Sequence, residues 1–285
     1  MGLEKDFFKF IQDRQLIWYK RFILKEKPPW TDDEVLKNYK IINVYRELDK
    51  GTIYIINKIK DIKQREIMLL NDIFYRFFNR YNLYENLEIG ILNGIDKSLE
   101  IKFENLRKQG KPIFSDAYLI ASNKNNEPKY LYILEILKNL KLKELIANID
   151  NSADPKSSLK EIQKIKNIGP FLAYEIWTDL TYFNFFKQGW TDNDFVNIGP
   201  GAEWGLEIIY DKRLNKKEQL EKIYHLHKIQ KELLNNLEWK KIFYKNAFSN
   251  RPYLSLRNIE HSLCEFRKYW NLSHGKGKKR KFYYR

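Results

Sequence analysis

Apolar residues recur every three or four positions along most of the chain, the spacing typical of amphipathic helices. The first run, "DFFKFIQDRQLIWYKRFIL", stops before the pair Pro28–Pro29. Later runs predict helices over residues 64–81, 85–92, 95–108, 129–149, 158–165, 171–180, 202–210, 216–237 and 256–270. The pattern therefore predicts an all-α fold. Only "FSDAYLIASN" has an alternation that offers a short strand or hairpin as an alternative.

The second run, "TDDEVLKNYKIINVYRELDKGTIYIINKI", begins with a helix start signal. Thr31 is the expected N-cap, and Glu34 three residues later completes a capping box. Glycine and proline cluster at short joints, and no internal repeat or long linker is present. We expect one helical domain of two packed lobes with a cleft over residues 1–272, followed by a flexible basic tail over residues 273–285.

The same run places several polar residues on one predicted helix. Asn43, Arg46 and Glu47 then share one face, whereas Tyr45 and Asp49 share another. Only one set can face a cavity, and we favour Asn43, Arg46 and Glu47 as part of a base pocket. A surface ladder of salt bridges is the alternative.

Charge narrows the choice of partner. The chain carries 52 Lys and Arg against 37 Asp and Glu, a net charge of +15. Such an excess favours a polyanion such as DNA, because basic side chains on phosphates release counterions. The alternative is that AT-rich coding supplies surface lysine without a binding role.

Cysteine, histidine and hydropathy exclude other classes. Cys264 is the single cysteine, so a disulfide or cysteine metal site within the chain is excluded, and we expect it to pack only. His225 and His227 are two apart on a predicted helix, which is poor metal geometry. No apolar run reaches the length of a membrane span, and the N-terminus is too charged for a secretory signal. We expect a cytoplasmic protein without metal, cofactor or membrane.

The stretch "KIKNIGPF" separates two short helical runs and fits the turn of a helix–hairpin–helix, which binds a DNA phosphate. The pattern positions are taken by Ile165, Asn167, Ile168, Gly169 and Ala173. Asn167 replaces the usual first glycine, which is tolerable because asparagine visits left-handed conformations. Pro170 falls in the first turn of the second helix, where a missing N–H costs little. Lys164 and Lys166 flank the turn; an ordinary helix corner is the alternative.

The order of parts around this turn resembles the helix–hairpin–helix superfamily of DNA glycosylases: a Pro-Trp segment, then the hairpin, then an aspartate downstream. The resemblance implies that this aspartate lies at a flipped nucleotide and stabilises positive charge on the sugar. Asp194 is our first candidate, Asp192 the second and Asp179 the third, with a capping carboxylate as the alternative for each. Phe171 stands where strand-cleaving members carry a lysine, so a monofunctional enzyme is implied.

A closer resemblance covers the motifs "PPWTDD", "NVYRELDKGT", "FYRFFN", "IGPFLAYEIWTDL", "NDFVNIGPGAEWGL" and "NIEHSLCEF". In this order they resemble the α-glutamyl/putrescinyl thymine pyrophosphorylase family and the helical domain of 5-hydroxymethyluracil DNA kinases. The resemblance implies a glycosylase-like scaffold that acts on hypermodified DNA. Related bacterial proteins excise bulky bases of phage DNA as an antiviral defence. The chain has no G-x-x-x-x-G-K-[ST] stretch, so we expect no kinase activity of its own.

Further candidates lie in and beside these motifs. Gly199 and Gly201 form a second glycine-rich turn before a helix, which is able to hold a phosphate or a sugar hydroxyl, or is an ordinary loop. His261 is predicted to read a polar base adduct, with a core histidine as the alternative. Three tryptophans adjoin candidate sites and are able to stack on a base: Trp30, Trp177 and Trp204.

Together these features predict a DNA glycosylase that excises a bulky modified pyrimidine, such as glucosylated hydroxymethylcytosine, and leaves an abasic site. Double-stranded DNA with modified bases would lie on a basic face made by Lys164, Lys166, the hairpin residues, Lys276, Lys278, Lys279 and Arg280. The first alternative is a transferase that replaces pyrophosphate on 5-hydroxymethyluracil with an amine, which predicts an amine pocket. The second is a non-catalytic DNA-binding module, which would tolerate Asp194→Asn.

Overall fold

The computed structural model describes residues 2–115, 127–245 and 252–277, and the regular secondary structure in these ranges is helical. The helices are α1 Glu4–Trp18, α2 Glu34–Asn38, α3 Lys50–Ile59, α4 Arg65–Phe78, α5 Leu83–Asn86, α6 Lys97–Lys108, α7 Lys129–Lys138, α8 Leu142–Asp150, α9 Pro155–Gln163, α10 Pro170–Thr181, α11 Pro200–Tyr210, α12 Lys216–Leu233, α13 Leu237–Ile242 and α14 Leu256–Ser273. No strand occurs in the described ranges, and the all-α prediction is confirmed. Most of "FSDAYLIASN", together with Lys278, Lys279 and Arg280, lies outside them.

The chain divides into two compact units. The terminal unit comprises residues 1–49 and 195–285, and the central unit comprises residues 50–194. The single domain expected over residues 1–272 stays a prediction. Across the described ranges, no helix combines the length and the apolar character needed to cross a bilayer.

In the terminal unit, α14 is the central helix and packs against α1, α2, α11 and α12. The edge of the Phe7 ring meets the Phe266 ring at a centroid distance of 5.4 Å, and both side chains are fully buried. Helix α11 approaches α14 most closely through two glycines. A Cβ at Gly201 would overlap Cys264 Sγ, and one at Gly205 would overlap the Leu263 carbonyl oxygen. The glycines therefore set how near the two helices lie.

In the central unit, α4 fills the interior and contacts α3, α7, α8 and α10. Its residues from Met68 to Phe78 are all buried, including the polar side chains of Asn71, Asp72 and Arg76. Phe78 stacks on Phe103 at 4.8 Å, and Phe103 stacks on Tyr130 at 5.3 Å. This aromatic stack joins α4 to α6 and α7.

The prediction of one long helix after Thr31 is wrong. Asp33, not Thr31, is the N-cap, and its Oδ1 accepts from the amides of Val35 and Leu36 at 2.9 and 2.8 Å. The helix ends at Asn38, an irregular segment follows, and a 3-10 turn spans Arg46–Leu48. The Arg14 side chain stabilises the irregular segment, donating to the carbonyl of Ile41 at 3.0 Å. The face assignment of Asn43, Arg46 and Glu47 therefore fails, because they do not share a helix.

One other predicted helix is divided in two, and another ends four residues earlier than expected. The run over residues 129–149 breaks after Lys138, where Asn139 Nδ2 donates to the Glu135 carbonyl at 2.9 Å. The run over residues 216–237 breaks after Leu233, and Asn236 caps the next helix by accepting from the Trp239 amide at 2.7 Å. Asparagine side chains compete for backbone groups in this way, which a continuous apolar pattern conceals.

Candidate active site

Three segments that are far apart in sequence meet on the first half of α14. Asn258 lies on this helix and connects it to the 3-10 turn: its Oδ1 accepts from the Arg46 amide at 2.8 Å, and its Nδ2 donates to Glu47 Oε2 at 3.2 Å. Asn258, Arg46 and Glu47 are all at most 7% exposed. A buried polar group needs a partner, and here each segment supplies one for the other.

The third segment is the start of α11. Gly199 donates its amide to Glu260 Oε1 on α14 at 3.4 Å, and Glu260 Oε2 pairs with Arg257. Glu260 and Arg257 are 7% and 5% exposed. The chain segments 46–49, 199 and 257–261 thus meet along the first half of α14. We call the α14 cluster the set Arg46, Glu47, Asp49, Arg257, Asn258, Glu260 and His261.

This arrangement changes the role of the second glycine-rich turn. The Gly199 amide faces a carboxylate, which repels the phosphate that the sequence suggested there. Gly201 lacks a side chain because Cys264 occupies that space. Burial raises the pKa of the Cys264 thiol, in keeping with its packing role. We therefore leave both glycines out of the DNA contacts proposed below.

His261 and Asp49 form the least buried edge of the α14 cluster. His261 Nε2 lies 3.5 Å from Asp49 Oδ2, and their side chains are 11% and 26% exposed. An imidazole beside a carboxylate is suited to accept or donate a proton near neutral pH. On the inner side, burial and then the Glu47 carboxylate raise the pKa of the Tyr45 and Tyr244 hydroxyls. The cluster combines a buried frame with a group able to move a proton.

Asn43 and Glu265 hold the irregular segment that leads into the cluster. Arg14 Nη2 donates to Asn43 Oδ1 at 2.8 Å, and Asn43 Nδ2 donates to the Leu48 carbonyl at 2.8 Å. Glu265 Oε2 accepts from the Ile42 amide at 3.1 Å. Both residues therefore have backbone-organising contacts in this structure.

The three carboxylates predicted to be catalytic lie outside the α14 cluster. Asp194 is exposed, and its Oδ2 closes a local turn by accepting from the Thr191 amide and hydroxyl at 2.8 and 2.7 Å. Asp192 is half-buried in the same loop. Asp179 is completely buried in an ion pair with Arg76. In this structure Asp194 has the capping contacts that the sequence left as its alternative, whereas Asp179 is held in a buried ion pair.

The three candidate tryptophans differ in access. Trp30 is 6% exposed and donates from Nε1 to the Glu26 carbonyl at 2.8 Å. Trp177 is fully buried and donates to Ser158 Oγ at 2.8 Å. Neither presents a ring face on which a base can stack. Trp204 is 54% exposed, with the Arg267 guanidinium carbon 4.9 Å from its ring centroid.

The turn between α9 and α10 has the predicted backbone. Asn167 adopts the left-handed conformation with φ of 65°, and Pro170 occupies the first turn of α10. Both predictions are confirmed, and Ile168 anchors the turn at 4% exposure. Gly169 is exposed. The turn is therefore anchored in the core on one side and presents its backbone on the other.

The lysines beside this turn have local partners. Lys164 Nζ pairs with Glu161 at 2.6 Å, and Lys166 Nζ lies 4.9 Å from the centre of the Tyr132 ring. Both lysines remain exposed, and Lys276 is exposed at the end of the terminal unit. Contact of these groups with DNA stays a prediction.

A cleft of about 420 Å³ in the terminal unit went unnoticed in the sequence. Its carboxylates are Asp6, Asp13, Asp32 and Asp33, and its aromatic wall includes Phe10, Tyr269 and Trp270. Lys9 pairs with Asp13 at 2.7 Å, and Tyr269 donates to Asp33 at 2.7 Å. Burial raises the pKa of Asp13, with Lys9 opposing it. Carboxylates beside aromatic rings suit an organic cation, and only folding brings α1, the "WTDD" segment and α14 together.

No metal site stands out: in the described ranges, no three His, Cys, Asp or Glu side chains are grouped so as to hold a metal ion.

The comparisons with known proteins bear on the whole chain. Residues 2–279 match the family model described as "5-hmdU DNA kinase, helical domain". The 5-hmdU DNA kinase of Bacillus phage SP10 is 29% identical over 289 residues, a region that covers 93% of this chain and 44% of that protein. The chain thus spans less than half the length of this curated relative. No solved structure matched, and the resemblance to helix–hairpin–helix glycosylases stays a prediction. From the match over nearly its full length, the chain belongs to the family of 5-hmdU DNA kinase helical domains.

Proposed function

We propose that the chain modifies 5-hydroxymethyluracil bases in DNA, replacing a pyrophosphate on the exocyclic methylene with an amine. The α14 cluster, found in a chain of this family, is the observation that carries the proposal. It joins the "NVYRELD", "NIGPGA" and "NIEHSLCEF" motifs and provides one partly exposed histidine–carboxylate pair. The family match favours this activity over the base excision that the order of motifs suggests.

The proposed step is a substitution at carbon. The carbon–oxygen bond to pyrophosphate breaks and its electron pair leaves with pyrophosphate, while the amine nitrogen forms the new carbon–nitrogen bond. The proton lost by the amine passes to His261, which Asp49 orients at 3.5 Å. Because the methylene of a paired base is poorly accessible, the base is rotated out of the duplex first.

The acidic and aromatic cleft supports an amine as the second substrate. Four aspartates face one lysine there, so the cleft has an excess of negative charge. Tyr269 and Trp270 offer ring faces to an organic cation. The transferase alternative predicts such a pocket, whereas glycosidic bond hydrolysis has no use for it.

Binding of the DNA backbone is assigned to the turn between α9 and α10. The proposed contacts are Lys164, Lys166, Asn167, Ile168 and Gly169, of which Gly169 offers its amide at the start of α10. Lys276 adds positive charge in the basic C-terminal stretch of the sequence, and Lys278, Lys279 and Arg280 continue that stretch. The net charge of +15 supports a polyanionic substrate.

The kinase step itself is assigned to another polypeptide or domain. The 285 residues contain no G-x-x-x-x-G-K-[ST] stretch, the loop that cradles nucleotide phosphates in P-loop kinases. In the phage relative, 44% of the length matches this chain. We propose that the helical domain acts after the base has been phosphorylated.

The test supplies the proposed substrate directly. Duplex DNA with pyrophosphorylated 5-hydroxymethyluracil is incubated with the protein and a diamine, then digested to nucleosides for mass spectrometry. The proposal predicts an amine-substituted nucleoside and released pyrophosphate, both lost in His261→Ala and retained in His225→Ala. Free modified base with alkali-labile sites would instead establish excision. Binding without either product would leave a DNA-binding module.

A further inference from the structure

An exposed apolar tip lies at the end of α1. Phe22, Ile23 and Leu24 are consecutive and are 43%, 52% and 49% exposed. Three large apolar side chains in a row are seldom left in water, because each loses the free energy that burial would give it. The tip therefore requires a partner that covers it.

The tip is held in place rather than left loose. A π-helical turn over Tyr19–Ile23 ends α1, and the Leu24 amide donates to the Tyr19 carbonyl at 3.1 Å. Lys25 has a φ of 57°, the left-handed conformation that a lysine rarely adopts. Such turns and such backbone angles concentrate at functional sites.

Trp30 anchors the same loop to the core. Its Nε1 donates to the Glu26 carbonyl at 2.8 Å, and Lys20 Nζ donates to the Trp30 carbonyl at 3.3 Å. The Arg21 guanidinium carbon lies 5.0 Å from the Phe22 ring centre and 5.1 Å from that of Trp30. The loop thus presents a preformed apolar tip, which loses little conformational freedom on insertion.

The residues around the tip identify its partner as a polyanion. Four cations flank it, Lys20, Arg21, Lys25 and Lys27, with Glu26 as the single acid among them. Lys25 and Lys27 are exposed. An apolar wedge between cations is the arrangement with which proteins separate stacked base pairs while contacting the phosphates on either side.

We propose that the loop 19–27 is a DNA wedge, whose tip enters the base stack beside the target nucleotide while the flanking lysines contact phosphates. A nucleotide that leaves the stack creates a gap, and filling that gap with Phe22, Ile23 and Leu24 stabilises the extruded state. The inference rests on the proposed function in one respect, that DNA is the substrate, and it does not depend on which reaction follows.

The experiment uses a duplex with 2-aminopurine beside 5-hydroxymethyluracil, because 2-aminopurine fluoresces more strongly when it is unstacked. The wild-type protein should raise the fluorescence at saturation several-fold. Phe22→Ala/Ile23→Ala/Leu24→Ala should lose this rise while its affinity for DNA falls less than tenfold. Leu237→Ala is the matched control, since Leu237 is apolar and 78% exposed in the same unit; it should behave as wild type.

A variant that removes two positive charges distinguishes insertion of the tip from contact with phosphates. Lys25→Gln/Lys27→Gln should weaken binding and reduce the slope of log affinity against log salt by about 2, roughly one per lysine, yet keep the fluorescence rise at saturation. The fluorescence readout does not depend on product formation. The wedge can therefore be supported even if the test of amine transfer fails.

Three results would overturn the wedge. The first is wild-type binding without a rise in fluorescence, and the second is a full rise in the triple alanine variant. In the third, the wild-type protein does not bind the duplex but sediments with anionic vesicles or self-associates, and the triple variant loses this behaviour. That result would assign the tip to a membrane surface or to a second copy of the chain.

Discussion

Each unit contains a buried polar network, and the two differ in access. In the central unit the Arg76 and Asp179 side chains are 3% and 0% exposed, with Glu175 at 8% and 3.9 Å from Arg76. In the α14 cluster, His261 and Asp49 reach 11% and 26%. Both networks include residues of recognisable motifs. Burial of charge alone therefore does not distinguish the two networks, whereas partial exposure at one edge does.

The central network has the contacts of a structural joint. Arg76 on α4 donates to Asp179 on α10 at 2.8 Å, to Thr52 on α3 at 3.3 Å and to Asn79 at 3.2 Å. One guanidinium thus fixes the relation of three helices. A buried ion pair of this kind contributes more to a defined packing than to net stability, because desolvation offsets most of the attraction.

The largest difference between the two networks should appear in turnover. His261→Ala should lower the rate of base modification by about 10²- to 10⁴-fold, the range expected for loss of a general base. The midpoint of thermal unfolding should change little. His225→Ala is the control, because that histidine is 46% exposed and pairs with Glu4. Equal rates for the two variants would remove His261 from the mechanism.

For the buried ion pair of Arg76 and Asp179, we expect substitutions to lower stability and to leave turnover largely intact. Arg76→Met should lower the free energy of unfolding by about 3–5 kcal/mol, because it leaves the Asp179 carboxylate buried without its guanidinium. Arg76→Met/Asp179→Leu should regain most of that loss in urea unfolding. Turnover per folded molecule should persist in the double variant. Loss of turnover with normal stability there would make the central network part of the chemistry.

A smaller effect is expected where α11 packs on α14. Gly205→Ala should lower the free energy of unfolding by about 1–3 kcal/mol, because the added methyl group overlaps the Leu263 backbone. Gly201→Ala should cost less, since it meets the Cys264 side chain. Adding Cys264→Ala should reduce the loss of unfolding free energy caused by Gly201→Ala and should not change the loss caused by Gly205→Ala. If Cys264→Ala reduced the destabilisation of both glycine variants, α11 would shift as a whole.

The smallest effect concerns acid stability in the central unit. Arg65 donates to both oxygens of Asp150 at 2.8 and 2.6 Å and holds the pKa of that carboxyl below its ordinary value of 3.8. A lowered pKa means that the pair stabilises the fold above pH 3.8 and loses this contribution as the pH falls through the folded value. Asp150→Asn should therefore flatten the dependence of unfolding free energy on pH below about 3.8. An unchanged slope in acid would contradict the pairing.

Much of the fold follows from local signals in the sequence. The apolar period locates most helices, and Asn167 and Pro170 mark their turn correctly because each has a strong backbone preference. The helix after Asp33 was overextended, because Ile41 and Val44 continue the apolar pattern while Arg14, distant in sequence, stabilises a non-helical segment. A partner that arrives through folding is invisible to a window of neighbouring residues.

The site was less predictable than the fold, for a related reason. Arg46, Glu47 and His261 were all candidates, but Arg46 and Glu47 were placed with Asn43 on a helix face that does not exist in the 3-10 turn. Their relation comes from Asn258, whose two hydrogen bonds join segments more than 200 residues apart. Asp194 was favoured for its position along the chain, and only the structure shows that Thr191 occupies its carboxylate.

The most direct test of the account is to locate the target base on the protein. A duplex with 5-iodouracil at the target position is irradiated in the complex, and the crosslinked peptide is identified by mass spectrometry. The account predicts attachment within residues 43–49 or 258–265, the two segments that frame His261. Attachment within residues 188–194, beside Asp194, would contradict it and return the excision reading to first place.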